Sequence, residues 1–155
     1  MRRFNVLEAE VAHDLDDPEG YRGGGVRLAP LVAAQRLGAT LYELPPGQST
    51  APYHYEYGNE EWLLVLSGTP LLRHPEGEDT LAAGDVVCFA EGPEGAHKLT
   101  NRTAGTVRVL MLSTVNDPAV VVYPDSDKIG VWPGDARDNV MVGRKSRVDY
   151  WLGEG

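Results

Sequence analysis

Two of the four histidines in this chain stand in segments that also carry carboxylates and turn glycines. The first segment reads Gly47-Gln-Ser-Thr-Ala-Pro-Tyr-His54-Tyr-Glu56-Tyr-Gly-Asn-Glu-Glu61-Trp-Leu-Leu-Val-Leu-Ser-Gly68. If Tyr53 to Tyr57 is extended, His54 and Glu56 point to one side and Tyr53, Tyr55 and Tyr57 to the other. On the apolar strand that follows, Glu61, Leu63 and Val65 share a face opposite Trp62, Leu64 and Leu66, which makes Glu61 rather than Glu60 the inward carboxylate. The second segment runs from Gly84-Asp85 through a buried-looking strand and a Pro93-Glu-Gly95 loop to His97 and Asn101. Imidazole nitrogens and carboxylate oxygens presented together are donors for one divalent transition metal ion. A set of His54, Glu56, Glu61 and His97 suits Zn, Fe, Mn or Ni without choosing among them. Glu56 also has a second reading, as a general base beside a three-ligand metal with open positions, the arrangement that proton abstraction next to a carbonyl needs.

The elements that must position these groups are short. From Arg36 onward, apolar runs are cut by Gly, Pro, Asn and Asp: Arg36–Leu44, Glu61–Leu66, Pro70–His74, Asp85–Phe89, His97–Asn101 and Val107–Leu112, extended by Val120–Tyr123 and Ile129–Trp132. Such even punctuation predicts antiparallel β-structure, a sandwich or jelly roll. Residues 1–35 read as an N-terminal arm and loop, acidic and glycine-rich around 12 to 25. Leu28 to Ala34 is too short for periodicity to separate helix from strand. Residues 36–132 form the barrel, and residues 133–155 are a charged extension whose apolar close, Val148, Tyr150, Trp151 and Leu152, is expected to pack across it.

At 155 residues the chain has the size of one ordinary domain. Its 14 basic against 23 acidic residues, a formal charge of -9, oppose a phosphate backbone and exclude nucleic acid as an expected partner. Glu8, Glu10, Asp14, Asp16 and Asp17 stand where a signal peptide needs an apolar stretch, and no segment approaches a membrane span in length. With a single cysteine, Cys88, no internal disulfide forms, and a reducing cytoplasm is the expected location. Cys88 itself, between Val87 and Phe89, is expected to be buried and chemically quiet.

The two segments resemble the two motifs of the cupin superfamily, G-x5-H-x-H-x3,4-E-x6-G followed by G-x5-P-x-G-x2-H-x3-N. In that family, both His and the Glu of the first motif join the His of the second around one metal. His54 matches the first histidine, Glu61 the glutamate spaced correctly before Gly68, and His97 the last histidine, with Asn101 after it. The departures are an extra residue between Gly47 and His54, a single residue between Gly95 and His97, and Glu56 at the second histidine position. The resemblance covers Leu37 to Leu112 and implies an all-β, double-stranded β-helix: a jelly-roll cupin barrel with extended arms. The wording from Glu56 to Gly68, with Tyr123-Pro-Asp-Ser-Asp-Lys128, is similar to small single-domain bacterial cupins described as sugar-phosphate-isomerase-like. The function this implies is a metal-dependent enzyme acting on a small polar metabolite such as a sugar or sugar phosphate, of isomerase or epimerase type. Its alternatives are a non-catalytic cupin that binds a small-molecule ligand, and an iron-dependent dioxygenase. A homodimer is also implied, because small cupins pair through their sheets and the β-edges and tyrosines here need covering.

The remaining candidates read as structural. His13 in the acidic arm and His74 before Pro75 are expected to be solvated. Tyr53, Tyr55 and Tyr57 belong between sheets or at a subunit contact rather than against a substrate. Arg73, Lys98, Arg102 and Arg108 have no spacing that makes a phosphate cradle, and Gly23-Gly24-Gly25 reads as a flexible turn without a strand–helix frame.

Overall fold

Apolar runs this short cannot build long helices. The computed structural model, which describes residues 1–155, contains twelve strands and one four-residue α-helix. In chain order these are β1 (Gly24–Arg27), α1 (Ala29–Val32), β2 (Leu37–Leu44), β3 (Tyr55–Tyr57), β4 (Glu61–Ser67), β5 (Leu71–His74), β6 (Gly77–Thr80), β7 (Val86–Phe89), β8 (Lys98–Thr100), β9 (Val107–Thr114), β10 (Ala119–Tyr123), β11 (Lys128–Trp132) and β12 (Val140–Gly143). They form a five-stranded sheet ordered β1-β2-β9-β4-β7, a four-stranded sheet ordered β12-β11-β10-β3, and a three-stranded sheet ordered β6-β5-β8. Every pairing is antiparallel, giving the all-β jelly-roll barrel. No helix is long and apolar enough to cross a membrane.

The inner face of the large sheet changes character along its length, and that gradient creates the site. On β2 the inward positions run Leu44, Tyr42, Thr40, and on β9 their partners run Val107, Val109, Met111. On β4 the same direction reads Val65, Leu63, Glu61. The apolar ends join Leu72, Leu81, Phe89 and Leu99 in one buried cluster, with Tyr42, Val87 and Met111 packed against it. Complete burial of a Leu or Val contributes about 1.5–3 kcal/mol, so this half of the barrel is a rigid floor. The opposite half is left for polar side chains.

Backbone geometry explains the motif glycines that matter most. A Cβ on Gly95 would lie 1.8 Å from the Ala90 carbonyl oxygen, so no other residue fits before His97. Gly68 has φ of 81° and would drive a Cβ to 2.8 Å from Val107. Asn101 is fully buried and organises its loop, its Nδ2 donating to the Leu44 and Gly105 carbonyls at 2.8 and 2.7 Å.

Several sequence expectations are corrected. Gly24 and Gly25 lie in β1, paired with Glu43 and Tyr42 of β2 rather than in a flexible turn, and the N-terminal arm crosses Gly24 so closely that a Cβ there would sit 2.5 Å from the Ala12 carbonyl. The choice left open at Leu28 to Ala34 is not overturned but decided, in favour of the short helix α1. Cys88 is exposed, not buried, because it shares the outward face of β7 opposite Trp62. Its thiol pKa is nonetheless raised, by desolvation and by the neighbouring Glu60 carboxylate. Val148, Tyr150, Trp151 and Leu152 do not pack across the barrel; they are 68–83 % exposed. His13 and His74 are not simply solvated, since their Nε2 atoms meet Glu43 at 3.0 Å and Asp79 at 3.1 Å. Strand β6, Gly-Glu-Asp-Thr, escapes the hydrophobic pattern because it is polar and exposed, whereas β12 is an apolar Val-Met-Val run inside the extension read as charged.

Candidate metal centre

His54 and His97 come from loops far apart in sequence but face each other as an antiparallel bridge. Their ring centroids are 4.6 Å apart. The Nδ1 of His54 donates to the Pro52 carbonyl at 2.8 Å, and the Nδ1 of His97 to the Gly95 carbonyl at 2.9 Å. Each ring is thereby held as the Nδ1–H tautomer, which leaves Nε2 as a free lone pair aimed into the barrel. Phe89 stacks on His97 at 3.7 Å and 9°, fixing the ring from the apolar side. Both histidines are buried, and burial lowers both pKa values, that of His97 to about 4, with the neighbouring His54 adding to the shift. Neutral imidazoles are the ligand form.

The third donor is Glu61, at the polar end of β4. Its Oε2 stands 3.7 Å from His54 Nε2 and 3.5 Å from His97 Nε2, too far for hydrogen bonds that would satisfy the three atoms. One donor atom from each residue lies within 4.8 Å of the others. Two lone-pair nitrogens and a carboxylate converging without bonding one another fit a divalent cation. Burial, followed by repulsion from Glu56, raises the Glu61 pKa to about 8, the response of a carboxyl that lacks its counter-charge.

Glu56 lines the same cavity, of about 220 Å³, but stands outside this three-residue set. Desolvation raises its pKa, and a hydrogen bond from Asn59 partly offsets the rise. Asn59 is buried and held in turn by Thr114 and Asn116, whose Oγ1 and backbone N–H donate to its Oδ1 at 3.2 and 2.9 Å. Tyr123, on β10, lies 5.9 Å from the His54 ring, and its pKa rises through desolvation and the nearby Glu56 and Glu61 carboxylates. Tyr42 contributes from β2, its pKa raised by burial and then by Glu61. Tyr42 lines the cavity itself and Asn59 and Tyr123 the hollow beside it, and the sequence carries no signal for any of the three. The alternation on β2 that pairs Tyr42 with Thr40 was legible, but not which face turned inward.

The tyrosine stripe is structural. Tyr53 is buried beneath the Arg73 guanidinium at 3.9 Å, and Tyr55 meets Tyr57 edge-on at 5.5 Å. None of the four singled-out cations reaches the cavity. Arg73 forms a two-pronged pair with Asp125 at 2.6 and 3.0 Å, and Arg102 meets Glu78 at 3.4 Å. Lys98 donates to the Tyr21 hydroxyl at 3.1 Å, and Arg108 donates to the Leu7 and Ala9 carbonyls at 3.1 and 2.7 Å, tying down the N-terminal arm.

Comparison with known proteins agrees with this architecture. Residues 40–113 match the cupin domain family. No curated protein matches the chain in sequence. Among solved structures, a candidate sugar phosphate isomerase from Acidithiobacillus ferrooxidans superposes with a TM-score of 0.80 at 24% identity, over 93% of this chain and 91% of that one. A sugar phosphate isomerase of the cupin superfamily from Silicibacter pomeroyi superposes with a TM-score of 0.79 at 21% identity, over 93% of this chain and 94% of that one. The polyketide cyclase RemF from Streptomyces resistomycificus is similar over 75% of this chain and 80% of its own, with a TM-score of 0.60 and 21% identity. With the barrel, the two motif segments and the family match coinciding, residues 40–113 are a cupin domain and the chain has the cupin fold.

Proposed function

We propose that the protein is a metal-dependent enzyme that isomerises or epimerises a small polar metabolite, a sugar or sugar phosphate. The observation that carries this reading is the division of labour among the two carboxylates: Glu61 stands with the two Nε2 atoms, while Glu56 lines the same cavity outside that set. His54, Glu61 and His97 would hold one divalent transition metal ion, which when bound supplies Lewis-acid polarisation of a substrate oxygen. Glu56 takes a proton from the carbon beside the carbonyl and returns it to the opposite face of that carbon in epimerisation, or to the former carbonyl carbon in isomerisation, where the substrate's hydroxyl proton passes to the former carbonyl oxygen. Its raised pKa brings it toward the range in which a base both accepts and gives back a proton near neutrality. Asn59, fixed by Thr114 and Asn116, orients the Glu56 carboxylate. The apolar floor of Leu63, Phe89 and Val109 keeps water from entering from below. The names carried by the Acidithiobacillus and Silicibacter proteins support the choice of sugar phosphates. We further propose that the protein works as a homodimer in a reducing cytoplasm, consistent with its single cysteine.

The test is elemental analysis of freshly purified protein, followed by exchange of substrate protons in deuterated water across a panel of aldose and ketose phosphates. Deuterium incorporation next to the carbonyl is expected from the wild type. Glu56→Gln should lower it by about 10²–10⁴-fold with metal content unchanged. Tight ligand retention without exchange on any substrate would instead make this a binding cupin, and failure to bind any divalent ion would overturn the site.

A further inference from the structure

Beyond the inner cavity, a second hollow of about 520 Å³ opens at the barrel mouth, and the two share Tyr42, Glu56 and Ser113. Arg27 is the only arginine or lysine lining either space. It lies on β1 opposite Thr40, itself an inner-cavity residue. Arg27 is exposed, and its guanidinium makes none of the ion pairs that occupy Arg73, Arg102, Arg108, Arg137 and Arg144. The other charged groups of the hollow are Glu56 and Asp117, the latter turned toward the turn at Gly134. Opposite in character is Trp132, a half-buried residue of β11 lining the same space. Its indole lies across Gly130, where a Cβ would be 2.3 Å from the ring, so the glycine gives the indole a flat seat on the backbone. A planar aromatic surface and an unpaired guanidinium, adjoining a small polar cavity with a candidate metal site, are the parts needed to hold the apolar face and the anionic end of one ligand.

We propose that Arg27 and Trp132 form the outer half of the substrate site, binding a sugar that carries a phosphate or carboxylate at the end remote from its reacting carbon. This rests on the reading of the inner cavity as the reacting centre. Arg27 sets specificity by charge, and Trp132 positions the ring.

The test uses the full-length protein, titrated with fructose 6-phosphate, glucuronate and glucose and followed by calorimetry. The two anionic sugars should bind roughly tenfold or more tightly than glucose, because a charge-assisted pair to Arg is worth at least that factor. Arg27→Gln should erase the preference and Arg27→Lys should restore part of it. Trp132→Ala should weaken all three sugars alike, leaving the ratio of anionic to neutral unchanged. Dependence on Arg27 for fructose 6-phosphate alone identifies the anion as phosphate, and for glucuronate alone as carboxylate; either supports the subsite. A wild type with no preference for anions, or Arg27→Gln with the preference intact, overturns it. Elemental analysis of the same samples separates the two readings: an Arg27-dependent preference in protein that binds no divalent ion keeps the subsite and removes the metal enzyme, whereas bound metal without that preference does the reverse.

Discussion

His54 and His97 hold each other through the main chain: the His54 N–H donates to the His97 carbonyl at 3.1 Å, and the His97 N–H to the His54 carbonyl at 2.8 Å. The spacing of the two imidazoles is therefore a property of the backbone, independent of any ion. Because Nδ1 of each ring is tied to the carbonyl two residues earlier, the donor atoms are aimed before a metal arrives. Preorganisation of this kind lowers the cost of binding.

Replacement of either ring should therefore abolish the site without dismantling the barrel. His97→Ala is expected to lose bound metal entirely, since no neighbouring nitrogen replaces it. It should also cost about 2–4 kcal/mol of stability, because the space beside Phe89 is left unfilled. Elemental analysis and thermal unfolding of the same sample would check both. Metal retained at wild-type levels would remove His97 from the ligand set.

Glu56→His restores the histidine of the family pattern. Imidazole suits Zn, Ni and Fe better than carboxylate does, so the variant should bind such an ion as tightly as the wild type or more so. Turnover should nevertheless vanish, because an imidazole committed to the metal ion has no lone pair left to act as the base. A competition titration with a chromogenic chelator, paired with the deuterium-exchange assay, reads both quantities. An active Glu56→His protein would contradict the assignment of the base.

The titration of the site gives the metal-free protein an unusual pH profile. Glu61, raised from 4.5 to about 8, keeps a proton in the folded state that the unfolded chain has released, so its effect is to lower stability as pH climbs through that interval. His97, lowered from 6.5 to about 4, works in the opposite sense, and His54 shifts in the same direction as His97. The opposing effects largely offset each other below about pH 6.5, where His97 ceases to contribute; from there to about pH 8 the loss from Glu61 stands alone, on the order of 2 kcal/mol. Bound metal displaces that proton, so affinity should rise roughly tenfold per pH unit over the same interval. Unfolding midpoints measured from pH 5 to 8.5, with chelator and with added Zn, should diverge as pH rises. Parallel curves would refute the Glu61 assignment.

Gly95→Ala tests the loop that carries His97. With a Cβ forced to within 1.8 Å of the Ala90 oxygen, the backbone must move, and the Gly95 carbonyl that fixes the His97 ring moves with it. Destabilisation of about 1–3 kcal/mol or more is expected, together with weaker metal binding. Equal metal affinity in the two proteins would show that the carbonyl does not position the ring.

Association should involve the outer face of the large sheet, where Leu37, Trp62 and Val86 are each about half exposed and β7 is an unpaired edge. Sedimentation at micromolar concentration is expected to give a dimer, and Trp62→Asp to shift it toward monomer. A monomeric wild type would count against the proposed assembly.

Much of this protein is determined by local sequence. Alternation places His54 with Glu56 and Glu61 with Leu63 and Val65, and turn residues such as Gly68, Asp85 and Gly95 bound the strands between them. Those regularities belong to one strand and its turns, which is why the β-class, most strand positions and the histidine and glutamate candidates are legible without coordinates. The contributions of Tyr42, Asn59, Tyr123, Arg27 and Trp132 are not, because each reaches the cavity or the hollow beside it only through contacts between remote segments: β1 with β2, β10 with β3 and β11, and Asn59 with Thr114 and Asn116. Exposure is equally non-local: Cys88 has apolar neighbours in sequence yet faces outward, since what decides burial is whether another sheet covers that face. Glu56 marks the boundary between the two kinds of information. Strand alternation turns it toward His54, but only the folded barrel sets it in the cavity outside the three converging donors, because that distance is fixed by how β3 packs against β10 and the loop before His97.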